Sequence, residues 1–325
     1  MGRGTSAVEG VEVKDNPLAS DLDHVLAHTE GLWEELRGKR LFVTGGTGFF
    51  GCWLLESFAW ANEKLGLDAA ALVLTRDPDA FRRKAPRLAD HPAIGFHTGD
   101  VRSFEFPAGG FSHVIHAAVP GTRRSLEFAR QCGARKFLLT SSGAVYKRPR
   151  SDYGEEKWLA EQLCAIYARQ YGIETKIARC FAFVGPYLPL DAHFAIGNFI
   201  RDGLRGGPIR VTGDGTPYRS YLYAADLAIW VWTILFRGAT CYPYNVGSAE
   251  ALTISELAQT VAQAFTPPAA VKIAKIAIPG QPAERYVPAG PAVQQTETDL
   301  NLHQWVTLPD GIRRTVRWYS TETKC

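Results

Sequence analysis

Paired cysteines are missing from this chain. The six thiols of its 325 residues (Cys52, Cys132, Cys164, Cys180, Cys241 and Cys325) form no C-x-x-C pair and no zinc-like spacing. That pattern offers no cysteine-built metal site and predicts unbridged thiols of a reducing compartment, with no disulfides. Charge of one sign is also scarce: 36 Lys and Arg stand against 33 Asp and Glu, a net +3, and the basic residues are scattered. Nucleic acid is therefore not an expected partner. No apolar run approaches the roughly 20 residues that span a bilayer, and the polar start through Gly4, Thr5 and Ser6 is not a secretory signal. No membrane partner is expected, and the protein is expected in the cytoplasm. Internal repeats and low-complexity tracts are lacking too. What is left, 46% hydrophobic and 21% charged, is the composition of a globular protein with one large domain or two smaller ones.

The most informative stretch is Thr44-Gly45-Gly46-Thr47-Gly48-Phe49-Phe50-Gly51, which follows a short apolar strand over 40–43 and opens an apolar segment over 52–59. A glycine triplet alone is a weak signal, but this one lies between strand and helix, as a dinucleotide site requires. Gly45 allows a tight turn, Gly48 lets backbone approach a pyrophosphate, and Gly51 lets helix and strand pack closely. The helix N-terminus beyond them favours an anion.

The chain begins with a tail over 1–16, after which Leu18, Leu22, Val25, Leu26, Leu32 and Leu36 recur at helical spacing up to Gly38. Strand and helix signals then alternate, with strands over 41–44, 71–74, 96–97, 113–117, 136–140 and 175–181 and a helix from Tyr153. Such alternation predicts an α/β fold, a parallel sheet covered by helices on both faces. From Gly185 the turns become frequent, which suits a smaller lobe over the carboxyl edge of the sheet, with substrate held between the two. The expected division is an N-terminal tail and helix over 1–38, a dinucleotide-binding domain over 39–184 and a substrate-binding lobe over 185–325, with a segment near 219–250 returning to the first domain. The aromatic run from Trp230 to Phe236 reads as core.

Tyr153-Gly154-Glu155-Glu156-Lys157 opens a helix whose Trp158, Leu159, Leu163 and Ile166 supply an apolar stripe. Tyr153 and Lys157, four apart, share a helix face. An ammonium beside a phenol, together with an oxidised nicotinamide, favours the phenolate and brings Tyr153 into range for proton transfer. Taken alone this spacing is common on solvated helices. What decides is the upstream run Thr140-Ser141-Ser142-Gly143-Ala144-Val145-Tyr146 at a strand end, where a hydroxyl can hold a carbonyl or carbinol oxygen beside the tyrosine.

With these motifs the chain, over about 38–319, resembles the extended short-chain dehydrogenase/reductase family, and in it the NAD-dependent epimerase/dehydratase branch that acts on nucleotide sugars. The resemblance implies a Rossmann-type doubly wound parallel sheet with a smaller C-terminal substrate-binding lobe. It implies cofactor contacts from Gly45, Gly48, Phe49, Phe50 and Gly51, and a catalytic set of Ser142, Tyr153 and Lys157, with Lys157 also bonding the nicotinamide ribose. Asp100, followed by Val101, takes the place of the family's adenine-binding acid. His116-Ala117-Ala118 is similar to the strand end along which the cofactor lies, with His116 in a backbone role. The run from Gly213 to Tyr221 resembles G-D-G-x-x-x-R-x-[FY], which makes Arg219, with the later Arg285, a diphosphate ligand and Asn198 a nucleotide-side contact. Asp226 and Asn245 match the family as structural positions. A homodimer through paired helices is the family's expectation.

Two departures narrow the chemistry. Where the family's 4,6-dehydratases carry an Asp-Glu pair, and its UDP-glucuronate decarboxylases a glutamate, this chain has Gly143-Ala144. Elimination then lacks its proton carriers, which favours a 4-ketoreductase of a nucleotide-linked 4-keto-6-deoxyhexose, or else a 4-epimerase. A small-ketone reductase or a non-catalytic dinucleotide-binding scaffold are remoter alternatives. At the end of the second strand, Thr75-Arg76-Asp77 puts a threonine where NAD enzymes place an acid, and Arg76 can meet a 2′-phosphate, so NADP(H) is favoured over NAD(H). The loops after Val119-Pro120 and after Tyr146 are also short for the family, and Lys147 replaces its usual glycine.

Overall fold

The computed structural model describes residues 16–118 and 120–322; Val119 and most of the N-terminal tail lie outside them. The first helix, α1 (Ala19–His28), leads through a single 3-10 turn (Trp33–Leu36) into alternating strands and helices. These are β1 (Arg40–Thr44), α2 (Phe49–Leu65), β2 (Ala70–Thr75), α3 (Pro78–Lys84), α4 (Pro86–Ala89) and β3 (Ile94–Thr98). There follow β4 (His113–His116), α5 (Thr122–Gln131), β5 (Lys136–Ser142), α6 (Asp152–Tyr171) and β6 (Glu174–Cys180). Beyond them the elements shorten: β7 (Phe183–Val184), α7 (Ala195–Leu204), β8 (Ile209–Val211), β9 (Tyr218–Arg219) and β10 (Leu222–Tyr223). The chain then forms α8 (Ala224–Arg237), β11 (Pro243–Val246), β12 (Leu252–Thr253), α9 (Ile254–Ala262), β13 (Val271–Ile273), β14 (Arg285–Tyr286), α10 (Gly290–Leu300) and α11 (Leu308–Glu322).

Seven strands form one sheet in the order β11-β6-β5-β4-β1-β2-β3, every pairing parallel. This is a doubly wound α/β architecture. β4 and β5 are buried along their whole length, as strands must be when helices cover both faces. One face packs on α5 and α6 through a phenylalanine cluster of Phe42, Phe104, Phe111, Phe128 and Phe137. The other packs on α2 and α8, and α8 is buried on every side, with Trp230 and Trp232 fully enclosed. The strand order reverses between β1 and β4, whose ends Thr44 and His116 lie in register. A crevice opens there beyond the carboxyl ends, where ligands of open α/β sheets bind.

The N-terminal segment is built into this body. α1 lies on α2 and α8, with Leu22 and Val25 buried. Its Asp21 accepts the Tyr223 hydroxyl at 2.6 Å and pairs with Arg314 of α11. Glu35 meets the buried Lys136 ammonium at 2.8 Å at the start of β5. Among the described residues no helix is long and apolar enough to cross a membrane, and the five described cysteines are free.

Candidate active site

The glycine-rich turn joins β1 to α2. Gly45 sits at φ +72°, and a Cβ there would lie 2.3 Å from the Ala117 carbonyl oxygen, so only glycine serves. A Cβ on Gly51 would run into the backbone of Gly46 at 2.3 Å, which is how α2 comes against the turn. At Gly48 a Cβ would meet only Gly45 O at 3.4 Å, ordinary contact. The protein's own packing therefore does not require that glycine, whereas close approach of a ligand would. α2 carries no side-chain cap, which leaves its first N–H groups to an anion.

A cleft of ≈ 550 Å³ extends from this turn past the ends of β2 and β3, lined by Gly45, Thr47, Arg76, Asp100, Val101 and Ala118 among others. Asp77 lines it as well, with one carboxylate oxygen engaged in capping α3 by accepting the Ala80 N–H at 2.8 Å. Arg76 is exposed in the cleft wall. Two further cations line the same cleft, Arg102 and Lys84, and the Lys84 ammonium donates to Thr47 O at 2.8 Å, tying α3 to the glycine turn. Lys84 was legible only once Asp77 was known as a helix cap, because seven positions on, two turns along α3, the chain faces the turn again. Asp100 spends one carboxylate oxygen on the Arg102 N–H at 2.9 Å. His116 is fully enclosed, its ring bonded to Thr44 (2.7 Å), Ser125 (3.2 Å) and Thr122 (3.1 Å). Burial drives its pKa down to about 3, so it is a neutral core histidine and offers only backbone to a ligand.

Ser151 caps α6 by accepting the Gly154 N–H at 3.2 Å. A Cβ on Gly154 would come within 2.8 Å of Ala144 O, so the helix start rests on the turn after β5. That contact brings Tyr153 and Lys157 beside Ser142, and all three line a second cavity of ≈ 1180 Å³, whose wall also includes residues of α7 and of 210–219. Phe49, Phe50, Ala117 and Ala118 line it as well. Lys157 is buried, its ammonium donating to Thr140 O at 2.7 Å and Ala118 O at 3.1 Å. Two of its three protons are thus placed and the third is free to serve a ligand.

The tyrosine differs from expectation. The Lys157 ammonium stands 6.0 Å from the Tyr153 ring centre and makes its hydrogen bonds to carbonyls. Partial burial instead raises the Tyr153 pKa, opposed by the Ser142 hydroxyl. In this form Tyr153 is a protonated phenol. Burial likewise lowers the Lys157 pKa to about 8 from its ordinary 10.5, acidic neighbours such as Glu156 and Glu161 offsetting part of it. The native chain then binds fewer protons than the unfolded chain between about pH 8 and 10.5, so this lysine makes stability rise through that window. Urea unfolding across it should show the native protein gaining relative to Lys157→Met; parallel curves would show that Lys157 keeps an ordinary pKa.

The lobe side of the cavity carries Asn198 and Arg219. Asn198 is internally satisfied, its amide donating to Ala192 O and Phe194 O at 2.8 and 2.7 Å while its oxygen accepts from Arg201. Arg219 pairs with Glu284 at 3.0 Å, and Glu284 also holds Lys147 at 2.6 Å. Arg285 does not reach the cavity: it is exposed, with its guanidinium over the Tyr218 ring at 5.0 Å. Its neighbour Tyr286 faces inward instead, the phenol oxygen 3.2 Å from Ser142 Oγ. Alternate residues of a strand face opposite sides, and with β14 paired to β9 it is the tyrosine that points at the site. Nothing local announces that the residue after Arg285 is the one turned inward.

Residues 41–247 match the sequence profile of the NAD dependent epimerase/dehydratase family. The chain belongs to that family. As one of its members it is 29% identical over 310 residues to UDP-glucuronic acid decarboxylase 6 of Arabidopsis thaliana, covering 84% of this chain and 86% of that one. An alignment of that length on that share of 325 residues means that the relative has segments this family member lacks. Among solved structures it is similar to an epimerase from Methanothermobacter thermautotrophicus (TM-score 0.73, 20% identity, 95% of this chain and 98% of that one). It is also similar to the UDP-glucuronic acid 4-epimerase of Bacillus cereus in complex with UDP-glucuronic acid and NAD (TM-score 0.71, 20% identity, 87% and 99%). These two likenesses show the shared fold of the epimerase/dehydratase family member.

Proposed function

We propose that this protein is a nucleotide-sugar oxidoreductase, a 4-ketoreductase of a nucleotide-linked 4-keto-6-deoxyhexose working with NADP(H). One observation carries the reading. Around Ser142, Tyr153 and Lys157 the described cavity wall presents hydroxyls and an ammonium, and its carboxylates lie elsewhere. Its acids are Asp202 and Asp214, both in the smaller lobe and both engaged, Asp202 with Arg201 and Asp214 with Thr216. A side chain at Gly143 would have to displace the Phe181 ring, which its Cβ would meet at 2.3 Å. Removing water from a sugar needs an acid and a base besides the tyrosine, and this wall supplies neither. The same lack weighs against the reaction named by the decarboxylase relatives.

The glycine turn and the uncapped start of α2 fit a dinucleotide pyrophosphate, and a bound nicotinamide supplies or takes the hydride. Ser142 holds the substrate oxygen, Tyr153 gives or receives its proton, and Lys157 offers its free N–H to the nicotinamide ribose. Arg219 meets the substrate diphosphate, for which Glu284 must yield, with Asn198 shaping the nucleotide side. The neighbour that carries UDP-glucuronic acid and NAD shows that this fold accommodates such a pair.

Arg76, Lys84 and Arg102 beside a committed Asp77 support NADP(H). Replacing Arg76 and Lys84 together by Ala should weaken NADPH binding by tenfold or more, about what one lost charge-assisted hydrogen bond costs, and leave NADH binding unchanged. Titration by nicotinamide fluorescence measures both. Equal losses for the two cofactors, or tightly held NAD released only on denaturation, would favour the second reading, an NAD-dependent 4-epimerase. That reading has its own support in the ligands of the Bacillus cereus enzyme.

A further inference from the structure

We infer that Tyr286 is a positioning residue of the reaction, the donor that fixes where the Ser142 proton points. The inference rests on the reading of Ser142 as the group that holds the substrate oxygen. A serine hydroxyl has one proton to give and two lone pairs to fill. One lone pair of Ser142 takes the Ala144 N–H at 3.2 Å, the bond that caps the turn after β5. The other lies 3.2 Å from the Tyr286 hydroxyl. Apart from Ser142, that hydroxyl has no hydrogen-bond partner among the described residues, and a phenol is a better donor than an alcohol. Tyr286 therefore donates and Ser142 accepts.

With both lone pairs occupied, Ser142 keeps only its proton, and the direction left for it is the cavity, towards Tyr153 and the substrate oxygen. Two incoming donors also polarise the hydroxyl, so its own bond strengthens as charge gathers on that oxygen. Tyr286 is itself held in place. Its backbone pairs with Arg219 on β9, and its ring lies 5.4 Å from that of Phe181. The Lys147 and Arg219 cations stand over its face at 5.7 and 5.9 Å. Burial raises its pKa, opposed by the bond to the Ser142 hydroxyl, so it stays a neutral phenol. Without Tyr286 the serine proton is free to rotate away from the substrate.

The test is a double-mutant cycle on the full chain, with NADPH and dTDP-4-keto-6-deoxyglucose as one probe pair and UDP-glucose epimerisation with NAD as the other. Tyr286→Phe keeps the ring and loses the donor; its thermal midpoint serves as the check on folding. It should lower kcat by about tenfold, the net worth of one hydrogen bond, with KM within about twofold. In a Ser142→Ala background the same change should do nothing further. Losses that multiply, or an effect confined to KM, would mean that Tyr286 acts on substrate directly and would overturn the inference while leaving the proposed function standing. A wild-type protein that turns over neither probe overturns the proposed function and this inference with it.

Discussion

Tyr153→Phe should reduce turnover of a 4-keto nucleotide sugar by about 10²–10⁴-fold, the usual worth of a positioned proton donor, with little change in cofactor affinity. The ring of Tyr153 is 43% exposed in the cavity wall, and what the change removes is one hydroxyl, so the helix and its packing survive. Ser142 remains to hold the oxygen but has no second proton to deliver once hydride has arrived. Lys157 cannot substitute, because its ammonium is anchored on Thr140 O and Ala118 O behind the tyrosine. Single-turnover oxidation of NADPH separates the chemical step from product release. A loss below about tenfold would remove Tyr153 from the acid/base role and leave the hydroxyl as a binding group.

Glu161→Ala should cost about 3–5 kcal/mol of unfolding free energy, the penalty for stripping one partner from a buried ion pair. Glu161 lies one turn beyond Lys157 on α6 and is 4% exposed. One of its oxygens accepts the Ser141 hydroxyl at 2.5 Å and the Arg179 Nε–H at 2.9 Å, while the other takes Arg179 Nη2 at 2.6 Å. Arg179 donates onward to the Tyr146 hydroxyl at 2.8 Å, and Tyr146 to Asn245 at 3.0 Å. The alanine variant leaves the guanidinium of β6 with that phenol alone. Glu161→Gln, which keeps the shape and an accepting oxygen, should lose less. Urea unfolding of the three proteins gives the comparison, and a loss below about 1 kcal/mol for the alanine variant would show the pair to be solvated in solution. Because Ser141 neighbours Ser142, the same network steadies the strand end that carries the Ser142 hydroxyl.

These two predictions differ in how they could be reached. Tyr153 and Lys157 are visible in the chain because helical period alone places them on one face. Glu161 is in the sequence one of several charged residues of α6, with nothing to mark it as buried, and its partner Arg179 belongs to β6. The same division runs through the site residues. Gly45 and Gly51 announce themselves, since a left-handed turn and a close helix contact admit no other side chain. Arg285 carries the look of a ligand and yet faces solvent, while the unremarked Tyr286 beside it faces Ser142. Helical period puts Lys157 on the face of Tyr153, but a shared helix face does not fix where an ammonium finds its hydrogen bonds, here Thr140 O and Ala118 O.

The sequence by itself determined the alternation of strand and helix, the dinucleotide turn, the Tyr153–Lys157 face and the absence of acids after Ser142, because each follows from a local period, a local turn or the identity of a single residue. The tertiary structure decided what lies opposite them. Ser142 meets Tyr286 across 144 positions, Arg219 meets Glu284 across 65, and Lys84 reaches Thr47 across 37. Contacts of that kind depend on strand order, register and the packing of one lobe on another, and those are settled by burial of the whole core at once, which no local period encodes.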